Sequence, residues 1–296
     1  AVIAVPYQAL ADQWCEELEA FNINAIPCYR SLSVWHSRLS EAVERVVQKA
    51  PTFSCAVVVN QTMGSPEFQA LLRRIPGESL FWIGDECHHH GSEAYSKYLP
   101  IHANFRIGLS ATPEHYLDEA RNNRLVEYYG PIAFRYTLQD AIRDEILTPY
   151  DYYPHPVELT TEETEEFCEI ADKIAKIYAS NQGSDTSGKA SDGLNELYSR
   201  RARLVGGAAN KLPLLKDILS NKPPVPLTLF YCSAGSSKEP NASSGGSSRR
   251  HIEAASQLLR ELSWKTSAFT ANESKPQRAA ILEAFKNRSI DVLVAI

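Results

Sequence analysis

The sequence predicts an α/β protein with parallel sheets, and three observations carry that expectation. Short apolar runs alternate with amphipathic helical segments of one to several turns. The runs close on polar residues, and the pattern lapses after about residue 147 and resumes near residue 227. Strands separated by helices of this length imply parallel βαβ units, and hence a doubly wound sheet in the first half. A chain of 296 residues has room for two domains of ordinary size, read here as 1–147 and 148–296.

The first half opens in a strand, Ala1-Val2-Ile3-Ala4-Val5-Pro6, followed by Tyr7 to Phe21 with Leu10, Trp14, Leu18 and Phe21 on one helical stripe. Ser31 to Ala50 repeats the helical period through Leu39, Val43 and Val46 or Val47. The β-branched run Cys55 to Asn60 is a strand closing on Asn60-Gln61-Thr62. Ser65 then Pro66 marks the start of a helix running to about Arg74, with Ser as cap and Pro in the first helical position. Ser79-Leu80-Phe81-Trp82-Ile83-Gly84 is a strand that ends in Asp85, Glu86, Cys87 and His88, and Phe105 to Leu109 is a further strand ending in Ser110-Ala111-Thr112-Pro113.

The second half begins with a short helix pattern at the junction, Leu138 to Leu147, and extended chain over Tyr150 to Leu159. An acidic helix from about Thr161 carries Ile170, Ile174 and Ile177 as its apolar stripe. Asn181 to Asp192 reads as a linker, and helices follow over Leu194 to Val205 and Lys211 to Leu219. Leu227 to Cys232 is a strand, Ser233 to Ser248 a Ser- and Gly-rich insertion, and Arg249 to Leu262 a helix. Lys265 to Phe269 is a strand, Lys275 to Asn287 a helix, and Ile290 to Ile296 a last strand. A chain that starts and stops on core strands is expected to be a piece of a longer protein.

Composition narrows the class. With 44% hydrophobic and 22% charged residues the chain has the make-up of a globular protein. No apolar run approaches the roughly 18 residues that span a bilayer, and no leader pattern opens the chain, so no membrane is expected and the compartment reads as cytoplasmic, or nuclear in a eukaryote. The six cysteines are scattered without a C-x-x-C pair, which argues for buried thiols over a disulfide framework or zinc ribbon. A net charge of −6 gives no global sign of nucleic-acid binding, although a local basic groove remains compatible with it.

Chemistry concentrates where the strands end. In an open α/β sheet ligands bind beyond the carboxyl ends of the strands, so Asp85 and Glu86 are placed to serve a metal ion and a phosphate group. Taken in order, Pro6 to Trp14, Asn60-Gln61-Thr62, Asp85-Glu86-Cys87-His88 and Ser110-Ala111-Thr112 resemble motifs Ia, Ib, II and III of the superfamily 2 helicases with a DExH box. Phe230-Tyr231-Cys232-Ser233 resembles motif IV, and Thr270 to Ser274 the segment before motif V. The likeness is to the branch shared by type I and type III restriction-enzyme motor subunits and repair helicases.

That resemblance implies two RecA-like lobes and an ATP-dependent DNA helicase or translocase. Asp85 would hold Mg²⁺, Glu86 would act on the attacking water, and His88 would pass the state of the γ-phosphate to Ser110 and Thr112. Pro6, Gln8, Gln13, Asn60, Thr62, Tyr231 and Thr270 would contact nucleic acid. DNA is the implied partner, duplex before single-stranded, with nuclease or specificity subunits beside it. A non-catalytic nucleic-acid-binding fragment and an RNA helicase are the alternatives. The family's phosphate-binding loop and arginine finger are expected outside these 296 residues, leaving both lobes truncated and this fragment with negligible turnover.

Several stretches invite a functional reading that the residues do not support. Gly183 to Ala190 matches G-x-x-x-x-G-K, but Ala190 stands where a Ser or Thr would serve Mg²⁺, and the stretch follows a helix instead of a strand. His88-His89-His90 beside Cys87 has no familiar zinc spacing, and His89 and His90 read as solvated loop residues. Trp14 and Trp82 read as core, Arg106 as a strand-edge residue, and Arg200-Arg201-Ala202-Arg203 as a solvated helix face or a phosphate contact.

Overall fold

The computed structural model describes residues 1–115, 118–181, 189–233, 236–237, 249–270 and 272–296. The chain divides into two compact units, Ala1–Pro149 and Tyr150–Ile296.

Unit 1 runs β1 (Val2–Val5), α1 (Gln8–Ala20), β2 (Ile26–Cys28), α2 (Leu32–Val47), β3 (Ala56–Val59), α3 (Asn60–Met63) and α4 (Pro66–Leu72). It continues through β4 (Phe81–Asp85), a tight 3-10 turn over Cys87–Gly91, α5 (Glu93–Ser96), β5 (Phe105–Leu109), α6 (Glu119–Tyr129) and α7 (Leu138–Arg143). All five strands are parallel, in the order β2-β3-β1-β4-β5. Helices cover both faces, which is why β1 and β3 read as unbroken apolar runs. Val2, Ala4, Ala56, Val58 and Trp82 face a core with Trp35, Leu39 and Phe68, while Ile3, Val5, Val57 and Val59 face Leu10, Trp14 and Leu18 of α1.

β5 is the outer strand of this sheet among the described residues, and its Phe105, Ile107 and Leu109 are exposed. Arg106, on its other face, donates to the carbonyls of Ala103, Tyr128 and Ile101 and lies over the Tyr128 ring, so it ties β5 to α6.

Several boundaries differ from the sequence reading. β2 was not anticipated, because three residues with a central proline give no period. α6 was missed because its composition is strongly polar. Asn60-Gln61-Thr62 is not the end of the strand but the first turn of α3. Phe21 lies past the end of α1 and is 74% exposed, not part of its buried stripe.

Unit 2 comprises α8 (Thr161–Asn181), α9 (Lys189–Gly206), α10 (Lys211–Leu219), β6 (Thr228–Tyr231), β7 (Ser236–Ser237), β8 (Arg249–Arg250), α11 (His251–Glu261), β9 (Thr266–Phe269), α12 (Lys275–Lys286) and β10 (Val292–Ala295). β6, β10 and β9 form a parallel sheet in that order, with Val292 and Val294 packed against Ile252, Ala255 and Leu259 of α11. α9 begins at Lys189, so the expected linker is helical at both ends, with 182–188 outside the described residues. The G-x-x-x-x-G-K stretch therefore lies mostly outside them, as does most of Ser233 to Ser248. Arg200 pairs with Glu166 at 2.7 Å and Arg201 lies over the rings of Phe167 and Tyr198, which places this arginine cluster in the α8–α9 contact.

Candidate active site

The carboxyl ends of β1, β3, β4 and β5 share one edge of the unit 1 sheet. Pro6, Asn60 and Ser110 follow β1, β3 and β5 directly, and Asp85 is the last residue of β4. β4 lies beside β1 at the centre of the sheet, where the winding reverses direction, the place at which open α/β sheets receive ligands.

Asp85 is anchored from two sides. The Trp14 indole N–H donates to its Oδ2 at 2.7 Å, and the backbone N–H of Glu86 donates to its Oδ1 at 2.9 Å. Trp14 is thus both wall and donor. The signal was available in the sequence, because a half-buried tryptophan has a polar tip that needs a partner. Each carboxylate oxygen keeps a further lone pair for an ion or its water.

Glu86 turns the chain sharply, with φ +47° and ψ +45°, in the left-handed region that non-glycine residues rarely visit. Strain of this kind clusters at functional sites. Its Oε2 lies 3.2 Å from His88 Nδ1, and the same nitrogen is 3.0 Å from Ser110 Oγ. Ser110 Oγ also accepts the backbone N–H of Thr112 at 3.1 Å. An acid, an imidazole and a hydroxyl from two neighbouring strand ends thus form one hydrogen-bonded group, while the Thr112 side chain is exposed beside it.

The turn after the acids is held from outside by α6. Arg121 gives two hydrogen bonds to the carbonyl of His88, at 2.8 and 2.6 Å, and Arg124 gives one to the carbonyl of Gly91 at 2.6 Å. These arginines were not found from sequence, although two of them three residues apart on one helix face were the available sign.

The histidine run divides by geometry. In a 3-10 turn residues i and i+3 eclipse, so Cys87 and His90 point inward together while His88 and His89 are half exposed. The solvated reading of His90 is corrected: it has no solvent exposure, its Nε2 lies 3.0 Å from Asn60 Oδ1 and its Nδ1 lies 2.7 Å from Tyr129 Oη. Burial, and then the neighbouring His89 and His88, lower its pKa to about 4. Burial also raises the Cys87 thiol to about 11, with the charges of Glu86 and Asp85 adding to it, which makes it unreactive.

Asn60 is corrected with it. It is 2% exposed and its carboxamide oxygen is engaged by His90, so it is a buried structural group and not a surface for a nucleic-acid backbone. Gln8 and Gln13 on α1 are exposed, and Pro6 and Thr62 are half-buried at the same edge. In unit 2, Tyr231 ends β6 and is 74% exposed. Thr270 follows β9 with its hydroxyl donating to Glu273 Oε2 at 2.8 Å and accepting the N–H of Asn272 at 3.2 Å. Both lie at the carboxyl edge of the unit 2 sheet, each next to the end of β10.

The donor set at Asp85 and Glu86 suits a hard cation. No group of three or more His, Cys, Asp or Glu side chains converges on a metal position among the described residues. An ion at this edge would have at most two carboxylates and would complete its shell with water and phosphate, which is the coordination habit of Mg²⁺.

Residues 1–115 match the family model described as type III restriction enzyme, res subunit. No curated protein matches the chain. Among solved structures, the helicase domain of Hef from Pyrococcus furiosus is similar, at 17% identity over 100% of this chain and 76% of that one, with a TM-score of 0.44. No helix among the described residues is long and apolar enough to cross a membrane. The family match takes in the whole edge from Pro6 to Thr112, and over residues 1–115 the chain is similar to the res subunit of type III restriction enzymes.

Proposed function

We propose that the chain carries the core of an ATP-driven DNA helicase or translocase of the restriction and repair kind. The observation that carries this reading is the acid pair Asp85–Glu86 at the end of β4, joined through His88 to Ser110 at the end of β5. Phosphoryl transfer to water depends on positioning and charge neutralisation more than on covalent chemistry. Bound Mg²⁺ would supply the neutralisation.

The chain's own residues would do the rest. Asp85, fixed by Trp14, would hold the ion through its free lone pairs. Glu86 would orient the attacking water and take its proton. His88, with one nitrogen between Glu86 and Ser110, would link the hydrolytic group to the β5 end. Gln8, Gln13, Thr62, Tyr231 and Thr270 would contact the DNA backbone, which sets register and carries no sequence information. The one G-x-x-x-x-G-K stretch in the sequence, Gly183 to Lys189, is followed by Ala190 and not by Ser or Thr, so the chain alone is expected to hydrolyse ATP negligibly.

The test compares the chain alone with the product of its complete open reading frame, with and without duplex DNA. The complete product should hydrolyse ATP in a DNA-stimulated manner, and Glu86→Gln should reduce this by about 10² to 10⁴. A Glu86→Gln variant as fast as the unsubstituted protein overturns the reading, whereas DNA-stimulated turnover by the chain alone, lost in Glu86→Gln, overturns only the expectation that the chain alone is inactive. Single-stranded RNA stimulating better than duplex DNA would favour an RNA helicase.

A further inference from the structure

The catalytic reading uses Asp85, Glu86 and His88 but leaves a buried polar chain behind them unused. Its four members come from four places: Trp82 in β4, Tyr129 at the end of α6, His90 in the turn and Asn60 at the start of α3. Trp82 Nε1 lies 3.1 Å from Tyr129 Oη, Tyr129 Oη 2.7 Å from His90 Nδ1, and His90 Nε2 3.0 Å from Asn60 Oδ1.

Chemistry allows one direction of donation along it. An indole N–H can only donate, so it donates to the tyrosine oxygen. A carboxamide oxygen can only accept, so His90 carries its proton on Nε2 and donates to Asn60. A neutral imidazole then accepts at Nδ1, and the Tyr129 hydroxyl donates to it. With Asn60 Oδ1 as the accepting end and the indole as the donating end, the three hydrogen bonds run with one assignment of protons.

Its two ends touch different parts of the edge. Asn60 shares the single turn of α3 with Gln61 and Thr62, of which Gln61 is exposed and Thr62 half-buried. His90 lies four residues after Glu86 and two after His88, inside the same 3-10 turn. We infer that His90 is a positioning residue that ties the 60–63 turn to the acid-bearing turn, so that a phosphate backbone engaged at Gln61 and Thr62 sets the placement of Glu86 and His88. This rests on the ATPase reading above, and it assigns to the Asn60–His90–Tyr129 chain the link between DNA binding and hydrolysis within unit 1.

The test uses the product of the complete open reading frame and variants His90→Phe, His90→Gln and Tyr129→Phe. ATP turnover is measured with and without duplex DNA, together with hydrogen exchange of the amides of 86–92. His90→Phe should lower DNA-stimulated kcat about tenfold with KM for ATP within about twofold, a misplacement effect and not a binding one. His90→Gln, which keeps a donor toward Asn60, should restore part of the stimulation. DNA should slow exchange at 86–92 in the unsubstituted protein and fail to do so in His90→Phe.

If His90→Phe does not fold, Tyr129→Phe cuts the same chain by one atom and takes its place. Full DNA stimulation and unchanged DNA-dependent protection in that variant overturn the inference while leaving the ATPase reading intact. If the unsubstituted protein hydrolyses no ATP, the ATPase reading fails and exchange alone decides: protection that depends on His90 supports the tie, and protection that does not overturns it.

Discussion

At the scale of single residues, the turn after β4 sets three side chains to different tasks by backbone geometry alone. Glu86 is held at φ +47°, a conformation that costs an L-residue roughly 1–2 kcal/mol. That cost is offset by burial of Cys87 and His90 one position on and four positions on. His90 gives the site a measurable pH dependence. Its folded pKa, about 4, lies below the ordinary histidine value of 6.5, so the folded state resists a proton that the unfolded chain accepts. Stability from this group is therefore complete above about pH 6.5, falls as pH drops toward 4, and levels off below that. The full loss is roughly 3 kcal/mol, of which about 2 is gone by pH 5. Urea unfolding of the isolated chain at pH 7 and pH 5 should show this loss, and His90→Gln should show a smaller one. An equal pH slope in both proteins would place the effect in the carboxylates instead.

At the scale of elements, β4 and β5 are shaped to receive that buried chain. Their register sets Ile83 beside Ile107 and Gly84 beside Gly108. The paired glycines open a recess: a Cβ at Gly84 would lie 2.1 Å from Tyr129 Oη and 2.9 Å from the His90 ring, and one at Gly108 would lie 2.9 Å from Cys87 Sγ. Gly84→Ala should therefore destabilise unit 1 by roughly 3 kcal/mol and Gly108→Ala by about 1–2, the sulfur contact being the milder clash. Urea midpoints of the two variants test the order, and a Gly84→Ala protein as stable as the parent would show that the recess can relax. The repeat of Ile-Gly in Phe81–Asp85 and Phe105–Leu109 was visible in the sequence, but its meaning was not. Periodicity reports which strands are buried, as it did for Val2–Val5 and Ala56–Val59, because helices on both faces leave no polar position. It does not report register, and without register the partners of Gly84, Asn60 and His90 are invisible. Polar α6 escaped for the related reason that Arg121 and Arg124 serve the carbonyls of the turn and not the core.

At the scale of the whole molecule, the ordered motifs were legible because each sits at the carboxyl end of a strand, and parallel strands bring all those ends to one sheet edge. What the order could not supply is charge. The net charge is −6, and the edge residues proposed to meet DNA, Gln8, Gln13 and Thr62 in unit 1 and Tyr231 and Thr270 in unit 2, are all uncharged. In unit 1 the arginines beside the acid-bearing turn are already committed, since Arg121 and Arg124 hold turn carbonyls. Neutral hydrogen bonds to phosphate release few counterions, so binding of DNA should depend only weakly on salt. With roughly two or three phosphates neutralised, the slope of log K against log salt should be no steeper than about −3, a loss below about 100-fold between 50 and 200 mM. A contact set built on six to ten lysines and arginines would lose about 10³ to 10⁵ over the same range. Equilibrium binding of a fluorescent duplex across that salt series distinguishes the two. A steep slope would mean that basic side chains elsewhere on the chain, and not the polar strand ends, hold the backbone. A shallow one would fit grip by oriented amides and hydroxyls, which a translocating protein can release and remake at each step without stripping an ion atmosphere.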